Sequence, residues 1–256
     1  MYLAIDTSTE NTGLALTNGK CLVAEDVWRC MRNHSVELLP HIVSLLARAK
    51  TDINDITGLI AARGPGGFNG LRVGLGTAKG LALGLNVPIV GISTLEAAAY
   101  QHVAAGLPIC AILPAGRTEV AWAIYQTIGL EWCNILPETI SAPSEMFRYV
   151  KEPTIFAGEL SDSLWQEAHT QLGALIATPQ PLSICRARAL AELGSQRLEA
   201  GTGDDVATLQ PMYLRRPPIT QPKPKPSKFN RNNCGDDQLD KSNSHQNQNV
   251  NQSSQE

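Results

Sequence analysis

A carboxylate followed by three hydroxyls, Asp6-Thr7-Ser8-Thr9, stands where the first apolar segment of the chain runs into a turn. Carboxylate and hydroxyl oxygens suit a hard divalent cation, and the amides of a tight turn suit phosphate. The same residue types also satisfy each other and the backbone in an ordinary turn, so the chemistry depends on what faces them. Phosphoryl transfer holds metal and phosphates from both sides. The hairpin that opens the second half of the chain carries Leu113-Pro114-Ala115-Gly116-Arg117. That stretch has no carboxylate, and its proline lacks a backbone donor. Half a site is a poor catalyst, and no catalytic residue is assigned.

The other chemistry-bearing patterns are weaker. Arg63-Gly64-Pro65-Gly66-Gly67-Phe68-Asn69-Gly70-Leu71-Arg72 has the glycine content of a phosphate loop. It lacks the Gly-Lys-Ser/Thr ending of a Walker motif and the third glycine of a dinucleotide fingerprint. Anion binding at the following helix N-terminus is one reading, and a tight strand-to-helix turn is the favoured one. His34 and His41 sit on one predicted helix, seven residues and ~10 Å of axis apart, too far for one metal. The six cysteines are scattered without CxxC or metal-ligand spacing, which points to reduced thiols. No metal site is assigned and no nucleophile motif occurs.

Gly76, Gly80 and Gly84 recur every four residues in a predicted helix over Phe68 to Leu85. Each interior glycine costs about 0.5–1 kcal/mol relative to alanine, so three on one face imply close approach of another backbone. The residues alone leave open whether that backbone is the core sheet or a partner. A second predicted helix, from about Ser35 to Lys50, places Val36, Leu39, Val43 and Leu46 on one stripe.

These segments sit in a pattern that occurs twice. The 256 residues are 43% hydrophobic and 18% charged with a net charge of −3. That balance predicts a globular protein with a substantial core and no general attraction to a phosphate backbone. Three short strands (Tyr2–Asp6, Thr12–Thr17, Cys21–Trp28) form a meander. The Ser35 helix, a strand at Gly58–Ala62, the glycine helix, a strand at Pro88–Gly91 and a helix behind the capping-box sequence Ser93-Thr94-Leu95-Glu96 follow. The second copy runs from about Pro108. It has strands at Ile109–Leu113, Glu119–Gln126 and Leu130–Leu136, a helix over Ser144–Val150 and a strand at Thr154–Ala157. A helix over Ser161–Leu172, a short apolar strand and a last helix over Ser183–Ala200 complete it, with Gly201 closing the last helix. The expected fold is α/β with mixed sheets, two ribonuclease-H-like units in tandem, the two-lobed plan of actin and the sugar kinases. In ATPases of that plan a hairpin like Asp6–Thr9 approaches Mg²⁺ and the nucleotide phosphates. Lobes over 1–105 and 106–216 are expected, with the last helix packing back on the first. The Pro/Asn/Gln/Ser-rich tail over 217–256 has too little apolar content to order. No run approaches the ~20 apolar residues of a membrane span, and the chain is expected in the cytoplasm.

The segments YLAIDTSTENTGLAL, NHSVELLPHI, ARGPGGFNGLRVGLGTAKGLALGLNVPIVGISTLEA, TEVAWAIYQ and PMYLRR resemble the bacterial TsaB family, from the N-terminus to about Arg216. The resemblance implies an actin-like (ASKHA) fold and a non-catalytic scaffold role in forming N6-threonylcarbamoyladenosine on ANN-decoding tRNAs. It implies binding of the catalytic subunit TsaD, with the ATPase TsaE as a further partner, tRNA met only through the complex, and self-pairing when alone. It places the partner contact on the two N-terminal helices and assigns Val36, Leu39, Val43, Leu46, Gly76, Gly80 and Gly84 to it. Asp6, Thr7, Ser8 and Thr9 become a vestigial nucleotide loop, no cofactor being bound by the chain itself and ATP or ADP being a candidate at the joint surface. An actin-like ATPase or kinase is the alternative, and a peptidase, from the family's earlier grouping, a remote one. Many members carry Asp-Ala-Arg where this chain has Pro114-Ala115-Gly116.

Overall fold

The apolar residues of the opening strand alternate: Leu3 and Ile5 point to one side, Ala4 to the other, and all are buried. A strand buried on both faces needs helices on both, and the architecture follows from that. The computed structural model describes residues 1–19, 21–177 and 185–215; the predicted tail lies outside them.

The first sheet has five strands: β1 (Tyr2–Asp6), β2 (Asn11–Asn18), β3 (Cys21–Arg29), β4 (Gly58–Gly64) and β5 (Ile89–Ser93), in the order β3-β2-β1-β4-β5. β1 pairs antiparallel with β2 and parallel with β4. The helices α1 (His34–Arg48) and α2 (Phe68–Leu85) lie side by side on the face carrying Leu3, Ile5, Leu14 and Leu59. The predicted bounds of α2 hold, because Gly67 is extended and Asn86 closes the helix in the left-handed conformation. α3 (Thr94–Tyr100) follows β5 directly, with Ser93 at its N-cap.

The second sheet repeats the connectivity with β6 (Ile109–Pro114), β7 (Val120–Ile128), β8 (Glu131–Ser141) and β9 (Ile155–Gly158), in the order β8-β7-β6-β9. Its outer face packs Trp122, Ile124 and Phe156 on α4 (Pro143–Met146) and on α5 (Asp162–Leu172). The short apolar strand expected after α5 is reduced to a parallel bridge between Thr154 and Ile176. The helix expected over Ser144–Val150 is one α-turn continued by a 3-10 turn over Phe147–Tyr149.

α3 is packed from both sides, with Ala97 against the first sheet and Leu95, Ala98 and Ala99 against the second. The last helix, α6 (Ala187–Glu199), lies on the first sheet beside Ala4, Ala15 and Ile60, on the face opposite α1 and α2. Gly201 ends it with φ +72°. The result is an α/β, two-lobed actin-like fold with two mixed sheets. The Ser93–Glu96 box forms only in part: Ser93 Oγ accepts from Glu96 N at 3.4 Å, while the Glu96 carboxylate turns to Arg197 at 2.6 Å. An ion pair with α6 is the better partner for that carboxylate.

Candidate functional site

Two regions answer to the sequence-predicted residues, the β1–β2 turn and the outer side of the α1–α2 pair. In the turn, Asp6 ends β1 and its Oδ1 accepts hydrogen bonds from Ser8 N and Ser8 Oγ. Thr7 turns away and donates to the Gly70 carbonyl at 2.8 Å. The glycine loop is pressed onto the same turn, and Gly67 N donates to the Ser8 carbonyl at 2.6 Å. A Cβ on Gly66 would run into the Ser8 carbonyl, and one on Gly70 into the Thr7 carbonyl. The loop is a close-packed turn, with the Gly67 amide spent on the Ser8 carbonyl.

The oxygens that could have faced a metal face a guanidinium instead. Arg186, immediately before α6, is 1% exposed. Its Nε donates to Asp6 Oδ2 at 2.8 Å, Nη1 to Glu159 Oε1 at 2.8 Å and Nη2 to Thr9 Oγ1 at 2.8 Å. Glu159, just past β9, also accepts from Thr9 Oγ1 at 2.6 Å and from Asn11 Nδ2 at 3.1 Å. Burial works against the arginine's charge, but Asp6 and Glu159 outweigh it and hold its pKa above the ordinary value. A magnesium–phosphate pair does not fit these residues as they stand, because Asp6 Oδ2, Ser8 Oγ and Thr9 Oγ1 already face a cation of the chain itself. Neither Arg186 nor Glu159 stood out in the sequence: each is far along the chain from the hairpin, and only the fold brings them to it.

The second hairpin closes on itself, with Ala115 N donating to the Glu119 carbonyl at 3.0 Å and Gly116 at φ +98°. The nearest acid, Glu119, is bound by Arg215 at 2.7 Å. His34 Nε2 lies 3.2 Å from the Thr9 carbonyl. His41 is stacked on Trp28 with centroids 3.8 Å apart, its Nδ1 2.7 Å from Asp26. Among the described residues no cluster of three or more His, Cys, Asp or Glu side chains could hold a metal.

The helix pair has the opposite character. α1 is apolar on two sides. Leu38, Ile42 and Leu45 are buried in the core, while Val36, Leu39 and Val43 are 71%, 54% and 67% exposed. Leu46 does not belong with the exposed three; it is buried in the core. Ten residues on, it lies about 80° around the helix from Val36, at the edge of the stripe between Leu39 and the buried Ile42. On α2, Gly76, Gly80 and Gly84 have nothing within 4 Å of where a Cβ would stand, and Leu83 beside them is 66% exposed. Within the described residues, therefore, this glycine row is not packed on the core sheet. The row that is, Gly66, Gly70 and Gly74, went unnoticed in the sequence although its spacing is the same.

Residues 29–200 match the family model described as "TsaD: tRNA N6-adenosine threonylcarbamoyltransferase". The chain is similar to the tRNA threonylcarbamoyladenosine biosynthesis protein TsaB of Bacillus subtilis, with 32% identity over 83% of this chain and 93% of that protein. The match to the protein of the same description in Escherichia coli is 40% identical over 48% of this chain, and spans 54% of that relative's length. Among solved structures, YeaZ from Pseudomonas aeruginosa superposes with a TM-score of 0.66 at 26% identity, covering 83% of this chain and 99% of that one.

Proposed function

This chain belongs to the TsaB family, and on that premise we propose that it is the non-catalytic scaffold subunit of the complex that forms N6-threonylcarbamoyladenosine in ANN-decoding tRNAs. It binds and activates the catalytic subunit TsaD, with TsaE as a further partner, and meets tRNA only through the complex. One observation carries this reading: α1 and α2 each present apolar or glycine surface to solvent after their core-facing sides are already satisfied. An unpartnered face of this kind marks a protein–protein contact. Glycine at Gly76, Gly80 and Gly84 does nothing for the isolated helix and costs it propensity. It becomes useful when another helix lies close against it.

The filled turn at Asp6 supports the non-catalytic part of the reading, since its acid and hydroxyls face Arg186 and not open space. In this reading the chain binds no nucleotide by itself, and the joint surface of the complex is the candidate place for ATP or ADP.

The test is co-expression with the TsaD of the same organism and co-purification against a Gly80→Leu variant. A leucine on the open row should weaken the complex at least tenfold while leaving the melting temperature of the isolated chain within a few degrees. Undiminished complex with Gly80→Leu would overturn the interface assignment. Self-pairing uses the same face, so light scattering of the isolated chain should report a dimer that Gly80→Leu converts to monomer. Titration of the isolated chain with Mg-ATP should give neither turnover nor tight binding; a working ATPase would favour the enzyme reading.

A further inference from the structure

The cluster around Arg186 joins three segments remote in sequence: the β1–β2 turn, the residue following β9 in the second sheet, and the start of α6. All of the turn's outward oxygens are committed. Asp6 Oδ2, Ser8 Oγ, Thr9 Oγ1 and the Asn11 carbonyl face the guanidinium, and Glu159 closes the far side. Two carboxylates around one fully buried cation, with hydroxyls completing its hydrogen bonds, make a pocket shaped for a planar, five-donor cation.

We infer that the β1–β2 turn is a guanidinium-binding site occupied internally by Arg186, and that this occupancy is a clasp holding the first and second sheets in one fixed relation. In a cleft opened and closed by a bound nucleotide, the two sides are free to part when the ligand leaves. Here the ligand is covalently part of the chain, so the cleft has one state. The proposal does not depend on the identity of any partner, and it stands or falls apart from the interface reading.

The consequence is chemical. With the side chain removed, the two carboxylates and the hydroxyls remain around a guanidinium-sized cavity, and a free guanidinium ion should restore what was lost. The experiment is thermal melting of the full chain and of Arg186→Ala, in buffer, in low-millimolar guanidinium chloride, and in urea at the same concentration. Urea shares the planar shape without the charge. Arg186→Ala should melt lower by about 10 °C, since it strands the buried Asp6 carboxylate and the half-buried Glu159. Guanidinium should recover several degrees in this variant and none in the unaltered chain, through mass action on the folded state. Urea should recover nothing. Equal recovery by urea, or no recovery by either, would overturn the proposal, as would an Arg186→Ala variant that melts with the unaltered chain. If the alanine variant does not accumulate in soluble form, Arg186→Lys carries the test. It keeps the charge but not the fork of donors, and should melt clearly lower. A lysine variant that melts like the unaltered chain would sink the guanidinium assignment.

Discussion

Helix α2 carries two rows of glycines with the same four-residue spacing and opposite fates. Gly70 and Gly74, continuing from Gly66 in the loop, lie so close to Thr7 and Ser8 that any side chain would collide with them. Gly76, Gly80 and Gly84 look into open space among the described residues. Two residues along a helix is about 200° of rotation, so Gly74 and Gly76 face opposite sides. α1 repeats the division with Leu38, Ile42 and Leu45 inside and Val36, Leu39 and Val43 outside. The inner side is committed to the fold. The outer side is apolar or without side chains and open to solvent among the described residues, and the proposed partner contact rests on it alone.

The largest expected effect tests where α1 divides. Leu46→Ala removes a buried side chain and should destabilise the chain by about 3 kcal/mol, whereas Val43→Ala, three residues away, should change stability by about 0.5 kcal/mol or less. Denaturant unfolding of the two variants measures both. Equal costs would erase the distinction between the sides. For α2, Gly70→Ala sets a methyl group against the Thr7 carbonyl, which is backbone and cannot step aside. A loss of about 2 kcal/mol is expected. The outer row gives the reverse sign. Gly76, Gly80 and Gly84 replaced together by alanine should stabilise the isolated chain by about 2 kcal/mol through helix propensity alone. The same triple variant should bind its partner less well, because three methyl groups now stand on the contact surface. A triple variant less stable than the parent would mean the row packs on something within the chain.

The bounds of α2 were legible because local chemistry sets them, an extended glycine at the start and a left-handed asparagine at the end. The doubled meander was legible because strand alternation and turn residues are local signals. Which glycine row faces inward was not, since both satisfy the same spacing and only the position of Thr7 in space decides. The stripe on α1 was half legible. Val36, Leu39 and Val43 do form a surface, but Leu46 drifts to the core, and the core stripe itself was passed over because the helix is apolar on two sides. Asp6 was legible as the acid of a hairpin. Its actual partner, 180 residues along the chain, was not.

The smallest effect concerns the seam where α1 meets β3. Asp26 on β3 accepts from His41 Nδ1 at 2.7 Å and pairs with Arg48 at 3.2 Å, and both partners belong to α1. Burial alone would raise the Asp26 pKa, but the hydrogen bonds from His41 and Arg48 and their charge outweigh it, and the folded-state value lies below the ordinary 3.8. A carboxylate with a depressed folded pKa stabilises the fold above its unfolded pKa. That contribution fades as pH falls through the folded value, where both states become protonated. Asp26→Asn should therefore melt lower than the unaltered chain at pH 7, by roughly 2 °C for a partly exposed pair. The gap should close as the pH is taken well below 3.8. Melting curves of both proteins across that range measure it. A gap that stays constant with pH would mean that Asp26 holds α1 by shape alone, and the charge at this seam would then have no part in setting how the outer face of the helix is presented.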